Sequence, residues 1–163
     1  MTRIIDDFDA KILELLQENA RITQSDIAKA VGMAPSAVME RVRKLEARGA
    51  IREYVASIDP HVAELALLAF VSVRTSEYGP DQPSAHALAK IPEVLEVHHV
   101  AGEDCYLLKI RARDAEHLGQ LLRQQIAAVP HVTSTRTTVV LGTTKETSRI
   151  PLGVRKQPVP RAS

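Results

Sequence analysis

Gly32 fixes the outline of the first third of this chain. It follows an apolar helical pattern ending at Val31 and precedes Pro35 by three residues, in the stretch AVGMAPSAVMERVRKLEARG. A glycine there supplies the backbone freedom of a tight turn. A proline fits the first turn of the next helix, where its missing N–H costs nothing. That helix is expected to run from Pro35 to Arg48, with Gly49 closing it. Upstream, Asp6 is placed to cap a helix whose third position is Asp9, both acids favoured by the positive end of the dipole. Phe8, Ile12, Leu15 and Leu16 recur at helical spacing as one apolar face, and Asn19 and Ala20 end the segment. Thr23 and Asp26 form a capping-box-like pair for a second helix, with Ile27, Ala28 and Val31 inward. Short helices joined by a tight glycine turn make a helix-turn-helix pattern.

On a 3.6-residue wheel Val38, Val42 and Leu45 share the inner side of the third helix. Ser36, Glu40, Arg43, Lys44 and Ala47 share the outer side, with Ala37 and Arg41 at its edges. Short side chains at the N-terminal end and cations further along suit the major groove of a duplex. The competing reading is a solvated basic face in which Glu40 merely pairs with Lys44 at i,i+4. Two capped helices and the Gly32 turn ahead of it favour double-stranded DNA. The expected DNA-binding set is Ser36, Ala37, Glu40, Arg41, Arg43 and Lys44, with Glu40 orienting Lys44. The formal net charge of +1 carries no such argument, so the case rests on where the charges sit.

After Gly49 the rhythm changes. IREYVASID alternates like a strand, and Asp59 and Pro60 punctuate a linker around residues 55 to 65. LLAFVSVRT reads as a strand and SAHALAKI as a helix. VLEVHHVAG and CYLLKIRA read as strands joined by a short loop containing Gly102. Asp114 can cap a helix carrying Leu118, Leu121, Leu122, Ile126 and Val129, and VTSTRTTVVL is a last strand rich in β-branched residues. The order β-α-β-β-α-β is the split, ferredoxin-like arrangement, and the fold class is α+β. Helices cover one sheet face. The other, expected to hold Val71, Val73, Val97 and Val139 in one register or the next, calls for a partner, and a homodimer by sheet packing answers it.

The expected domains are residues 1–60, residues 61–150, and a tail over 151–163. The closing stretch IPLGVRKQPVPRAS is rich in proline and cations. It reads as a solvated end or as an accessory arm for phosphates. At 163 residues and 45% hydrophobic, the chain can build one ordinary domain or two small ones. No apolar run is long enough to span a bilayer, and MTRIIDDFDAK does not read as a signal peptide. With Cys105 the single cysteine, an intrachain disulfide is impossible and a cytoplasmic location is expected.

The loop VAGEDCYLLK clusters Glu103, Asp104 and Cys105 beside Gly102, with His98 and His99 upstream. A catalytic cysteine needs a base in reach, and alternation sends the two histidines to opposite faces. The ligand types suit zinc or copper, but CxxC or HxxxH spacing is lacking. The plain alternative is a polar hairpin with a small buried thiol.

DDFDAKILELLQENAR, DIAKAVGMAPSAVMERVRKLEARGAI, YVASIDP, VAGEDCYLLKI and TRTTVVL together resemble the Lrp/AsnC (feast/famine) family of prokaryotic transcription regulators, up to about residue 150. The resemblance implies a sequence-specific DNA-binding regulator and not an enzyme. It implies a winged-helix-like N-terminal domain and dimers assembling further, to an octamer. It also implies a small amino-acid effector, the only small molecule expected, bound at the Gly102 hairpin between dimers. Backbone N–H groups around a glycine can hold the carboxylate, and Glu103 and Asp104 the ammonium, with His99, Cys105 and Thr138 lining the pocket. Three positions depart from the family pattern. Ala34 replaces the usual serine before the proline, Glu64 and Leu65 stand where a glycine is common, and Cys105 stands where an aspartate is frequent, with Asp104 one place earlier. The alternatives are an enzyme of the siroheme-decarboxylase type, which shares this architecture, or a module that senses a metal or small ligand.

Overall fold

The computed structural model describes residues 5–77 and 81–153. Of these, 5–57 and 147–153 form one compact unit and 58–146 a second. Both divisions fall a few residues ahead of the expected boundaries at 60/61 and 150/151.

The first unit is built on α1 (Asp7–Glu18), α2 (Gln24–Val31) and α3 (Pro35–Ala47). Its ends are set locally. The Asp6 carboxylate accepts from the Asp9 amide at 2.7 Å, and the Thr23 hydroxyl accepts from the Asp26 amide at 3.1 Å while donating to the Asp26 carboxylate at 2.7 Å. Gly32 at φ 69° and Gly49 at φ 71° take the left-handed conformation that closes α2 and α3. The bonds Met33 N–H to Ala28 O (3.0 Å) and Ala50 N–H to Leu45 O (2.8 Å) complete Schellman caps at these two ends. A Cβ at Gly32 would meet nothing within 4 Å. Gly32→Ala is therefore expected to cost only the backbone penalty, about 1–2 kcal/mol, read as a lower urea midpoint at unchanged slope.

Ile12, Ile27, Val31, Val38, Val42 and Leu45 close the core of this unit. Phe8 does not join them. It is 47% exposed, its ring lying under the Arg41 guanidinium at 5.6 Å from the centroid. IREYVASID enters no strand ladder among the described residues, so no wing strand is paired here.

The second unit contains β1 (Leu67–Thr75), α4 (Pro83–Leu88), β2 (Val94–His99), β3 (Tyr106–Ala112), α5 (Ala115–Leu121) and β4 (Val132–Val139). The strands form one antiparallel sheet in the order β2-β3-β1-β4, the ferredoxin-like arrangement. After α5 the chain runs on as a π-helical turn, Leu122–Ile126, where one continuous helix is expected from sequence. The wider turn brings Ile126 inward after Leu118 and Leu121, all three in the core.

Register settles which face is covered. Val71 and Val73 are fully buried with Leu88, Leu118, Leu121 and Ile126, and Val97 packs against the same cluster. Val139 pairs with Ala69 and so points to the helix side too. The four valines expected on the open face are thus on the covered one. The open face instead carries Phe70, Ser72 and Arg74 of β1, with Leu107 and Lys109 beside them on β3 and Arg136 and Thr138 on β4. Charges there are compensated: Glu96 accepts from Lys109 at 3.2 Å, and Glu146 pairs with both Lys109 and Arg111. The β2–β3 ladder breaks register between Val94 and Glu96, leaving Leu95 in the bulge and 52% exposed.

Glu64, at a place where the resemblance has a glycine, sits at φ 56°. That is the left-handed region, which a residue bearing a Cβ enters at a cost a glycine would not meet.

Candidate nucleic-acid interface and effector loop

The outer side of α3 begins at an end without a side-chain cap, since Ala34 offers no acceptor. Ser36 is exposed, and the Arg43 and Lys44 side chains are 72% and 67% exposed. Glu40 is not primarily a partner of Lys44, as the spacing suggested. It accepts two bonds from Arg43, Nε at 3.1 Å and Nη2 at 3.0 Å, while Lys44 stands at 3.5 Å. The Arg43 bonds hold the Glu40 carboxyl below its ordinary range, and Glu40 raises the guanidinium in return. The i,i+3 bidentate fit explains the preference, because a planar fork matches a carboxylate where an ammonium meets it as a point.

Arg41 leaves the outward set. Its Nη1 reaches Asp6 Oδ2 at 2.7 Å and Asp9 Oδ1 at 2.8 Å. Arg48 takes the other oxygen of Asp9, Oδ2, at 2.8 Å. Asp9 is only 6% exposed, so a buried carboxylate on α1 holds one arginine midway along α3 and another at its C-terminal cap. Arg41 is a positioning residue that sets how α3 lies on α1. Ala37 is half-buried, at the rim of a hollow it shares with Lys44 and Arg48. Met39 escaped the sequence reading. It is 59% exposed, three residues from Ser36 and four from Arg43, and apolar where a core residue would be buried. A helical-wheel position flanking the outward arc was the available clue.

In the second unit the hairpin between β2 and β3 is pinned by Val100 N–H to Cys105 O and Cys105 N–H to Val73 O, both 3.0 Å. Gly102 adopts φ 139°, a conformation open to glycine. Glu103 and Asp104 curl toward the open face. Arg74 of β1 donates to Glu103 at 3.2 Å, and Arg136 of β4 donates to Asp104 at 2.6 Å. Asp104 is the sheltered acid, its side chain 21% exposed against 91% for Glu103. These two arginines were missed from sequence, although alternation with Ser72 and Ser134 puts both on one face.

Cys105 turns its thiol to the backbone of Thr75, accepting from its N–H at 3.5 Å and donating to its carbonyl at 3.7 Å. His99 lies against Tyr106, ring centroids 5.3 Å apart, with Nδ1 3.2 Å from the Gln82 amide nitrogen. Tyr106 and β3 put His99 on the helix side, whereas Thr138 pairs with Phe70 on the open side. One chain therefore does not bring His99 and Thr138 together. Below the hairpin, Tyr106 donates to Glu77 at 2.7 Å, and the Ser84 hydroxyl donates to the same carboxylate at 2.8 Å. Burial and then Glu77 push the Tyr106 phenol up to about 12. No group of three or more His, Cys, Asp or Glu is placed to hold a metal among the described residues, and no helix there is long and apolar enough to cross a membrane.

Comparison with known proteins covers both units. Residues 5–46 match the AsnC-type helix-turn-helix domain and residues 68–150 the Lrp/AsnC ligand binding domain. The chain is 36% identical to the HTH-type transcriptional regulator FL11 of Pyrococcus horikoshii over 148 residues, 91% of this chain and 97% of that one. It is 36% identical to the leucine-responsive regulatory protein of Escherichia coli K12 over 153 residues, 93% of each. Among solved structures, a Neisseria meningitidis transcriptional regulator in complex with L-methionine superposes with a TM-score of 0.84 at 31% identity, covering 91% of this chain and 97% of that one.

Proposed function

The chain belongs to the Lrp/AsnC family of transcriptional regulators, and on that premise we propose that α3 reads the major groove of a duplex and that an amino acid bound at the Gly102 hairpin tunes the outcome. The protein is a DNA-binding regulator, as its curated relatives are regulators rather than enzymes. The observation that carries the reading is the outward row Ser36, Met39, Arg43 and Lys44 on a helix whose other side is locked into a capped core. Ser36 and Ala37 let the helix approach base edges. Arg43, held flat by Glu40, suits guanine, and Met39 suits a thymine methyl. Lys44 suits a phosphate.

Dimers that stack their open sheet faces would present paired α3 helices, so the operator would be an imperfect palindrome. Further assembly, an octamer in our reading, would favour repeated sites and bent DNA. A cytoplasmic location fits such a regulator. For the effector, relatives point to leucine or methionine. Asp104 is the ammonium acceptor we favour over Glu103, being sheltered and already charge-paired. An incoming zwitterion would exchange with the existing pair, its ammonium on Asp104 and its carboxylate toward Arg136 and the amides beside Gly102. Coupling to DNA affinity would be about 1–3 kcal/mol.

Fluorescence anisotropy with duplexes from the chain's own upstream region tests the DNA reading, a flat titration at low ionic strength defeating it. Asp104→Ala is expected to erase the heat of L-methionine or L-leucine binding in calorimetry while apo DNA affinity stays. An unaltered isotherm would remove Asp104 from the site.

A further inference from the structure

Side chains tie α3 to the chain that follows it. Glu46, in the last turn of α3, accepts from the Tyr54 hydroxyl at 2.8 Å. Glu40, the other acid on the helix, is met by Arg43 and Lys44. Glu46 meets no cation among the described residues, and its partner is the phenol. Partial burial and then Glu46 push that phenol up to about 12, so it stays protonated and donating through the neutral range. Its ring is still 49% exposed. Ile51 makes a second tie. Its N–H donates to the Leu45 carbonyl at 3.2 Å, and its side chain packs against the core of the helical unit.

Arg52 stands between these two ties. It is exposed and makes no hydrogen bond or ion pair among the described residues, not even with the adjacent Glu53. Arg41 and Arg48, by contrast, are held by Asp9, and Arg43 by Glu40. The position suits a duplex on α3. Glu46 lies ten residues after Ser36, about 15 Å along the helix axis. With the N-terminal turn of α3 at the base edges, the other end clears a major groove about 12 Å wide. It comes to the phosphates of the groove wall, where an unpaired cation is attracted and an unpaired carboxylate repelled.

We propose that Arg52 contacts a backbone phosphate at the C-terminal end of α3, and that the Glu46–Tyr54 hydrogen bond is the clamp that holds it there. The proposal rests on the DNA-reading assignment of α3 and extends it past the helix. Arg52 touches DNA, and Tyr54 and Glu46 are positioning residues. The contact carries no sequence preference, since phosphates present the same group at every step. The arm over residues 151–163, the other source of phosphate contacts read from sequence, has its cations Arg155, Lys156 and Arg161 outside the described residues.

The test is equilibrium binding of the full chain, across a salt series, to a duplex from its own upstream region and to a mixed-sequence duplex. Arg52→Gln should lower the slope of log affinity against log salt by about 0.9 for each Arg52 engaged, and weaken both duplexes alike, about fivefold at low salt. Substitutions at Glu46 separate the clamp from plain charge. Glu46→Gln removes the negative charge but keeps an oxygen for the phenol, and should bind at least as tightly as wild type. Glu46→Ala removes charge and acceptor together, and should bind several-fold more weakly, although charge alone predicts the opposite. Tyr54→Phe should weaken binding of the wild type and change nothing further beside Arg52→Gln, because the phenol acts through that one cation.

A wild-type salt slope in Arg52→Gln would overturn the contact. Glu46→Ala binding as tightly as Glu46→Gln would undo the clamp, as would a Tyr54→Phe loss that persists beside Arg52→Gln. If the wild type itself bound no duplex, the assignment of α3 would fail, an outcome distinct from failure of Arg52 alone.

Discussion

Asp9→Ala is expected to lower the stability of the helical unit by about 2 kcal/mol, read as a drop in thermal or urea midpoint. The carboxylate is buried and holds Arg41 through one oxygen and Arg48 through the other. Removing one partner of a buried ion pair costs about 3–5 kcal/mol. The Arg41 and Arg48 side chains are 30% and 40% exposed, so water softens the loss. Arg41→Ala should cost less, because Asp9 keeps Arg48. It should still weaken DNA binding, through the lie of α3 and not through a lost contact. A DNA affinity that fell in Arg41→Ala with a smaller salt slope would contradict this, since it would place Arg41 on a phosphate. Asp6 adds a pH dependence. Burial alone would raise its pKa, but the Asp9 amide and Arg41 outweigh it and leave the carboxyl below its ordinary value. A depressed carboxylate stabilises the folded state fully above its unfolded pKa, near about 4. That contribution fades as pH drops through the lower folded value. Asp6→Asn should flatten the acid limb of stability against pH below that point.

Arg43→Ala is expected to weaken binding to the specific operator by about 1–3 kcal/mol and to relax specificity at one base pair. The change also frees Glu40, whose carboxylate would then face the duplex uncompensated, so the double substitution Arg43→Ala, Glu40→Gln should recover part of the loss. Lys44→Ala should act differently, weakening specific and random duplexes alike and lowering the salt slope by about 1. Wild-type binding in both single variants would remove the outer side of α3 from the interface.

Helix ends in the first unit were legible because their causes are local. Asp6, Thr23, Gly32, Pro35 and Gly49 each act within a turn of their own position. The outward direction of Ser36 and Arg43 followed from the wheel for the same reason. Arg41 did not, because its partners Asp6 and Asp9 are more than thirty residues away. The order of strands and helices was readable, but the face was not. Alternation fixes which residues share a side and leaves open which side is covered, so Val71 and Val73 were assigned to the open surface. The same ambiguity joined His99 to Thr138, which register separates. Arg74 and Arg136 were invisible as partners of Glu103 and Asp104 until three strands had been laid side by side. The π-helical turn at Leu122–Ile126 leaves an apolar spacing that an ordinary helix would also show.

The irregularity at Leu95 has a consequence for how copies of this chain can join. β2 is a margin of the sheet, and its ladder slips between Val94 and Glu96. A slipped margin cannot template an incoming strand residue for residue. Lateral growth on that side is blunted, and with it the route to open-ended ribbons. A contact through flat surfaces related by a two-fold axis closes on itself where strand-to-strand addition propagates, and the slip at Leu95 removes one competitor to such a contact.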